Sequence, residues 1–156
     1  MSNRLMSAAV LVALVATGGV ASAELSKKVT STFKGQLIVS TEELPEGSSD
    51  KETIAKIKAA KVTSLTGEAQ DDVTHWNFHY AAFLSKTGST ALKLEFYKGK
   101  QLAADKRLSG VDPKTPVLIG QISINEDEGL AKGNTYTIKL VNERDQAVST
   151  AQVTFK

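Results

Sequence analysis

Residues 130–140, Leu130-Ala-Lys-Gly133-Asn-Thr-Tyr136-Thr-Ile138-Lys-Leu140, join a turn to a strand. Gly133 marks the turn, because glycine is one of the residues that turns favour. Tyr136, Ile138 and Leu140 then alternate with polar residues, which is typical of a strand with one buried face. We expect the tyrosine hydroxyl to hydrogen-bond to the backbone a few residues upstream, which would tie one sheet to another. The stretch therefore predicts a corner of a β-sandwich.

Six more segments have the composition and alternation of strands. They are residues 32–40, 73–85, 89–97, 101–108, 117–125 and 146–155, and the corner strand at 135–141 is the seventh. Turn residues separate them at roughly the spacing found in sandwiches. In the second segment Trp76, Phe78 and Tyr80 occupy every other position, so we expect Trp76 to lie in the core.

A short helix is predicted between the first two strands. Ser49 and Glu52, three residues apart, form a capping box, and apolar residues follow at helical spacing over residues 50–60. No linker or internal repeat divides the chain. The sequence therefore predicts an all-β fold, a seven-stranded sandwich with one short helical insertion, in a single domain at residues 24–156.

The corner resembles the E–F corner of fibronectin type III and immunoglobulin-like domains. The resemblance rests on Leu130, Gly133 and Tyr136, with the alternating strand after them, and covers about a dozen residues at the penultimate strand. Lys132 stands where the fibronectin version commonly has proline, and Trp76 lies on the second long strand rather than the third. The resemblance implies an immunoglobulin/fibronectin-III-like sandwich in which these residues are structural.

The first 23 residues predict a cleavable secretory signal peptide. Arg4 supplies a positive charge, residues 8–16 form a short apolar core, and Ala21-Ser22-Ala23 is a small-x-small cleavage site. The apolar run is about half of the roughly 20 residues that a transmembrane helix needs. The chain has no cysteine, which excludes a lipoprotein anchor. We expect a periplasmic or secreted protein with no integral membrane segment once the signal peptide is removed.

Composition excludes several classes of function. Removal of Arg4 leaves 18 Lys and Arg residues against 17 Asp and Glu residues, so the net charge is +1 and nothing favours a nucleic-acid partner. The chain has no cysteine, and both methionines lie in the predicted signal peptide. The mature chain therefore offers no sulfur ligand, which argues against sulfur-ligated copper sites and against cysteine-based zinc or redox sites. Nucleophile-elbow and phosphate-loop motifs are absent. We therefore expect no enzymatic activity and no cofactor.

Two histidines and their neighbours are candidate contact residues. His75 and His79 are four residues apart, which on a strand places them about 13 Å apart, too far to share one metal ion without a ligand from elsewhere. Together with Asn77 they are predicted to line the solvent side of the sheet. Phe83 lies on the face opposite Trp76 and is the fourth candidate on this outer face.

An acidic loop precedes the corner. Glu126, Asp127 and Glu128 are consecutive, and calcium prefers such oxygen-rich loops. Their spacing differs from that of the calcium-loop motif, so a solvated turn is favoured over an ion site.

The function predicted from these patterns is a non-enzymatic binding or assembly module of the bacterial periplasm or cell envelope. Its partner is expected to be another envelope protein, bound at sheet edges or at the loops. The alternative is a module that binds carbohydrate or a divalent ion through the acidic loop at 125–129 or through exposed aromatic residues.

Overall fold

A computed structural model describes residues 25–156 and the backbone of residues 20–22. Most of the predicted signal peptide, including Arg4 and the apolar core at 8–16, lies outside the described residues. The described chain is mainly β-structure arranged in two sheets. In chain order the strands are β1 (Val20–Ser22), β2 (Leu37–Ser40), β3 (Ser64–Leu65), β4 (Glu68–Gln70), β5 (Val73–Phe83), β6 (Leu92–Lys98), β7 (Gln101–Leu108), β8 (Val117–Asn125), β9 (Asn134–Val141) and β10 (Ala147–Phe155).

The first sheet has the strand order β1-β8-β5-β2, and β4 also pairs with β5 beyond the end of β2. All of its pairings are antiparallel. The second sheet has the order β3-β10-β9-β6-β7, in which only the short β3–β10 pairing is parallel.

Two helices accompany the sheets. Helix α1 (Lys27–Thr32) begins after Ser26, whose hydroxyl accepts a hydrogen bond from the Val29 N–H group at 3.2 Å. Helix α2 (Asp50–Ala60) begins after Ser49, which accepts from the Glu52 N–H group at 3.2 Å, so the predicted helical insertion is confirmed.

The predicted strand count is incomplete. The predicted first strand, 32–40, is reduced to Leu37–Ser40, because α1 extends to Thr32. Strands β1, β3 and β4 are additional, so the described residues form ten strands rather than seven. Each has only two or three residues, too few for alternation to appear in the sequence.

A large apolar cluster fills the space between the sheets. Phe155 lies at its centre and makes edge contacts with four other rings: those of Trp76 and Phe78 from the first sheet and Phe96 and Tyr136 from the second. The Trp76–Phe155 centroid distance is 5.4 Å, and Trp76 has no exposed surface. The prediction that Trp76 lies in the core is confirmed.

Trp76 is also held by the backbone of Lys156. Its indole N–H group donates to the Lys156 carbonyl oxygen at 3.0 Å, across 80 residues of sequence. The Gly67 N–H group donates to the same oxygen, and the Lys156 N–H group donates to the Leu65 carbonyl. The last residue of the sequence is thereby joined to both sheets.

A second apolar cluster lies on the outer face of the first sheet. Val29, Phe33 and Ile57 come from the two helices and the residue that ends α1, and they pack on strand residues that include Phe83. The Phe33 and Phe83 rings are 5.1 Å apart, and only 1% of the Phe83 surface is exposed. The prediction that Phe83 is a surface contact residue is therefore wrong, because the helices cover this end of the sheet.

Both clusters consist of residues between Leu25 and Phe155. Among the described side chains, both clusters are therefore formed by the part of the chain that follows the predicted signal peptide.

The turn before β9 has the hydrogen bond expected from the sequence. The Ala131 N–H group donates to the Tyr136 hydroxyl oxygen at 2.8 Å. Leu130 is buried beside it, and Gly133 adopts a φ of +87°, a left-handed conformation that favours glycine. The Gly133 N–H group donates to the Phe155 carbonyl at 2.6 Å, which joins the turn to the end of β10.

Candidate functional site

The outer edge of β8 is the candidate binding site, and we call residues Val117–Asn125 along this side the β8 edge. On its inner side β8 pairs with β5 along all nine residues. On its outer side only Leu118–Gly120 are paired, with β1. Within the described part of the chain, residues 121–125 have no strand partner on this side.

The β8 edge lacks the features that normally protect a strand edge. Edge strands avoid unwanted pairing by being short, charged, interrupted by proline or bulged. Strands β2, β3 and β4 have four residues or fewer, and β7 carries Asp105, Lys106 and Arg107. Strand β8 has nine residues, no charged residue and no proline, and its register with β5 is unbroken. It is therefore the edge best suited to pairing with an added strand.

Gly120 lies at the point where the covered part of this edge ends. It pairs with Tyr80 on one side and with Val20 on the other. A Cβ atom at Gly120 would lie 2.7 Å from the Tyr80 hydroxyl oxygen, so the tyrosine ring extends from β5 until its tip lies over Gly120. Glycine is required here by contact with the ring rather than by backbone conformation.

The Tyr80 hydroxyl is unusual in this position. Only 2% of the residue is exposed, and burial raises the pKa of its hydroxyl above the ordinary value. Among the residues that the structure describes, no group hydrogen-bonds to it. A buried hydroxyl without a partner is energetically costly, and in this protein it lies against the strand whose outer side is nearly free.

The predicted outer-face residues of β5 lie together but do not converge on a ligand site. His75 and His79 are half-buried and Asn77 is exposed, on the face opposite Trp76. Their neighbours across the strand pairs are uncharged on β8, and Glu68 on β4 faces His75. Of the residues described, no three His, Asp or Glu side chains lie close enough to hold a metal ion.

The acidic loop is engaged in internal contacts. Residues Glu126–Glu128 form a single 3₁₀ turn after β8. Glu126 accepts a hydrogen bond from the Thr74 N–H group at 2.8 Å, which lowers the pKa of its carboxyl. Glu128 accepts from the Asn125 N–H group and pairs with Lys106. Two of the three predicted ion ligands therefore stabilise the end of β8, and only Asp127 lacks such a contact among those described.

A groove lies at the end of the second sheet where β6 begins and where β7 and β9 end. It has a volume of about 270 Å³ and is bordered by Lys93, Arg107, Glu143 and Asp145, among others. A smaller groove of about 170 Å³ adjoins it and shares the Glu143 border. Charges of both signs face the larger groove, so its electrostatics select neither anions nor cations.

Glu143 ties together the loops beside this groove. One of its carboxylate oxygens accepts three hydrogen bonds, from the Thr90 N–H and hydroxyl groups and from the Ala91 N–H group, each at 3.0 Å. These bonds favour the charged form and lower the pKa of the carboxyl. The residue was not singled out from the sequence, because its partners are about 50 residues away.

Replacing Glu143 with glutamine should destabilise the protein in a pH-dependent way. Because the folded-state pKa is lowered, the stabilisation is fully present above the unfolded-state pKa of about 4.3 and is lost as the pH falls through the folded-state value. Urea unfolding of both proteins between pH 7 and pH 3 should show a difference in free energy that shrinks with acidification. Glu43→Gln, in the exposed loop before α2, is the matched control and should show little difference at any pH. A difference for Glu143→Gln that is constant with pH would contradict the expectation.

Comparison with known proteins finds no family model, no curated protein and no solved structure that matches this chain. Among the described residues, no helix combines the length and the apolar character needed to cross a membrane.

Proposed function

We propose that the chain is an exported, non-enzymatic β-sandwich module that binds an extended segment of another protein chain in the bacterial periplasm or cell envelope. The observation that carries the proposal is the β8 edge, which is nine residues long and uncharged and which, among the described residues, is paired on its outer side only at Leu118–Gly120. The immunoglobulin/fibronectin-III-like type of the sandwich belongs to the same proposal. It is supported by the Ala131–Tyr136 hydrogen bond ahead of the penultimate strand.

Strand addition would explain why the β8 edge carries no protective charge or proline. A peptide added to a sheet edge gains main-chain hydrogen bonds, while its alternate side chains contact the faces of the sheet. The pairing of Leu118–Gly120 with the extended, antiparallel segment Val20–Ser22 supports this binding mode.

Removal of the predicted signal peptide would open this edge further. Cleavage after Ala23 takes β1 away, so the positions that it covers become free. The exported form would then present the whole of Val117–Asn125 to a partner. Every residue of the two described apolar clusters lies at or after Leu25, so cleavage after Ala23 removes none of them.

The proposal is tested on protein recovered from the periplasm, with the N-terminus verified by mass spectrometry, at a concentration at which sedimentation shows a monomer, so that the β8 edge is free. The probe is a synthetic peptide of residues 17–23, and the measurement is hydrogen exchange of backbone amides with and without it. We expect saturable binding that slows exchange within Leu118–Gly120. A control peptide with proline at positions 20 and 21 should not bind, because proline donates no hydrogen bond to the ladder. Absence of any peptide effect on β8 would overturn the proposed binding mode.

A further inference from the structure

We infer that the segment which docks on the β8 edge is the same strand of a second copy, so that the exported chain forms a two-fold symmetric dimer. The inference rests on the proposed function, because it requires an edge that accepts a strand and a removed signal peptide. It goes beyond that function in naming the partner.

The register of two identical strands favours this dimer. An antiparallel pair of identical strands has a two-fold axis, and an axis through Gln121 places Val117 opposite Asn125 of the second copy. All nine residues of β8 are then paired, which is the longest overlap that the strand allows. Opposite residues of an antiparallel pair lie on the same face, so the faces of the two sheets also match.

The side chains of the two strands also match in that register. Leu118, Ile122 and Ile124 face the space between the sheets. In the dimer Leu118 lies opposite Ile124 of the second copy, and Gly120 lies opposite Ile122 of the second copy. The apolar row therefore continues across the two-fold axis, and the exposed Gln121 side chains meet each other on the outer face.

The absence of charged residues on β8 also favours pairing with a second copy. Directly opposed like charges destabilise strand pairs, and any charged residue at the centre of a two-fold strand pair meets its own copy. Strand β8 has none, unlike β7 with Asp105, Lys106 and Arg107. The chain without its signal peptide has a net charge of +1, so the two copies repel each other little.

In the uncleaved chain, β1 excludes a second copy from this edge. Strand β1 occupies Leu118–Gly120, which the dimer register needs. The same edge cannot hold β1 and a second β8 at once. Dimerisation through this edge therefore follows signal-peptide removal.

Cysteine cross-linking tests the register directly, because the natural chain contains no cysteine. In the proposed dimer the two residues at position 121 are directly opposite, with Cα atoms about 4.5–5.5 Å apart, which suits a disulfide. Gln121→Cys should therefore form a covalent dimer on oxidation. Ser123→Cys is the matched control: it is exposed on the same face, but its two copies would lie about 13 Å apart and should stay uncross-linked. Equal cross-linking of both variants, or of neither, would overturn the proposed register.

The oligomeric state of the exported protein is the second measurement. We expect sedimentation to give a dimer at micromolar concentration. The Gln121→Lys substitution places two ammonium groups opposite each other, so it should raise the dissociation constant of the dimer roughly fivefold or more. Gln101→Lys, the same change on β7, should leave the dimer intact.

The outcomes separate the inference from the proposed function. A monomeric protein that still binds the peptide of residues 17–23 would overturn the second copy as the occupant and leave the proposed function standing. A monomer that ignores the peptide would overturn both. A dimer unaffected by Gln121→Lys would show that another surface is used, which also overturns the inference.

Discussion

Replacing Trp76 with alanine is expected to lower the free energy of unfolding by about 3–5 kcal/mol, the cost of emptying a large buried site. The side chain has no exposed surface, and the centroid of its ring system lies 5.4 Å from that of the Phe155 ring. The substitution also removes the hydrogen bond to the Lys156 carbonyl oxygen. Urea unfolding followed by circular dichroism measures the effect, since the variant lacks the only tryptophan.

Two control variants separate the causes of that loss. Trp76→Phe keeps much of the ring contact but removes the indole donor, so it should cost less than the alanine variant. Leu102→Ala removes apolar atoms from a residue that is 46% exposed, and it should change stability by no more than about 0.5 kcal/mol. A Trp76→Ala protein as stable as Leu102→Ala would show that the packing between the sheets has been assigned incorrectly.

Replacing Phe155 with alanine is expected to have an effect of similar size, about 3–5 kcal/mol. Its ring makes edge contacts with two rings of the first sheet and two of the second, so its loss opens a cavity between the layers. The fluorescence of Trp76 reports the same event, because water admitted beside the indole shifts its emission to longer wavelength.

Phe155→Leu is the matched variant for this position. It remains apolar and fills most of the site, so it should cost less than about 1.5 kcal/mol. A double-mutant cycle with Trp76 should show coupling of about 0.5–1.5 kcal/mol, the usual worth of an aromatic pair. Additive effects of the two substitutions would contradict the direct ring contact.

The features that were predictable from the sequence are those determined by neighbouring residues. The alternation of Trp76, Phe78 and Tyr80 is local, and so is the capping of α2 by Ser49, and both agree with the structure. The hydrogen bond between Tyr136 and the turn before it spans only five residues. In each case sequence spacing alone brings the groups together.

Two of the errors, the length of the first strand and the exposure of Phe83, have a common physical cause, which is burial of both faces of the first sheet at one end. Phe33 fits a strand pattern when read alone, yet it ends α1 and packs on Phe83. The unbroken run of apolar residues at 81–84 was the indication available in the sequence, since a strand covered on both faces loses its alternation, and all four residues are buried. Ser26 was the second indication, because serine is a common helix cap.

The β8 edge could be predicted only as one edge among several. Its composition is visible in the sequence, since residues 117–125 contain no charge and no proline. Its position at the side of the sheet is not visible, because that depends on which strands pair with β5. The contact between Tyr80 and Gly120 likewise joins residues 40 apart in sequence, and only the register of the two strands reveals it.

The bond between the Trp76 indole and the Lys156 carbonyl has a consequence for how the chain acquires its shape. The two residues are 80 positions apart, and Phe155, adjacent to the acceptor, supplies the ring on which both sheets meet. A chain that emerges N-terminus first cannot assemble its interior before these residues follow. If the chain is exported as proposed, such delayed closure would slow folding and keep the polypeptide unfolded while it crosses the membrane.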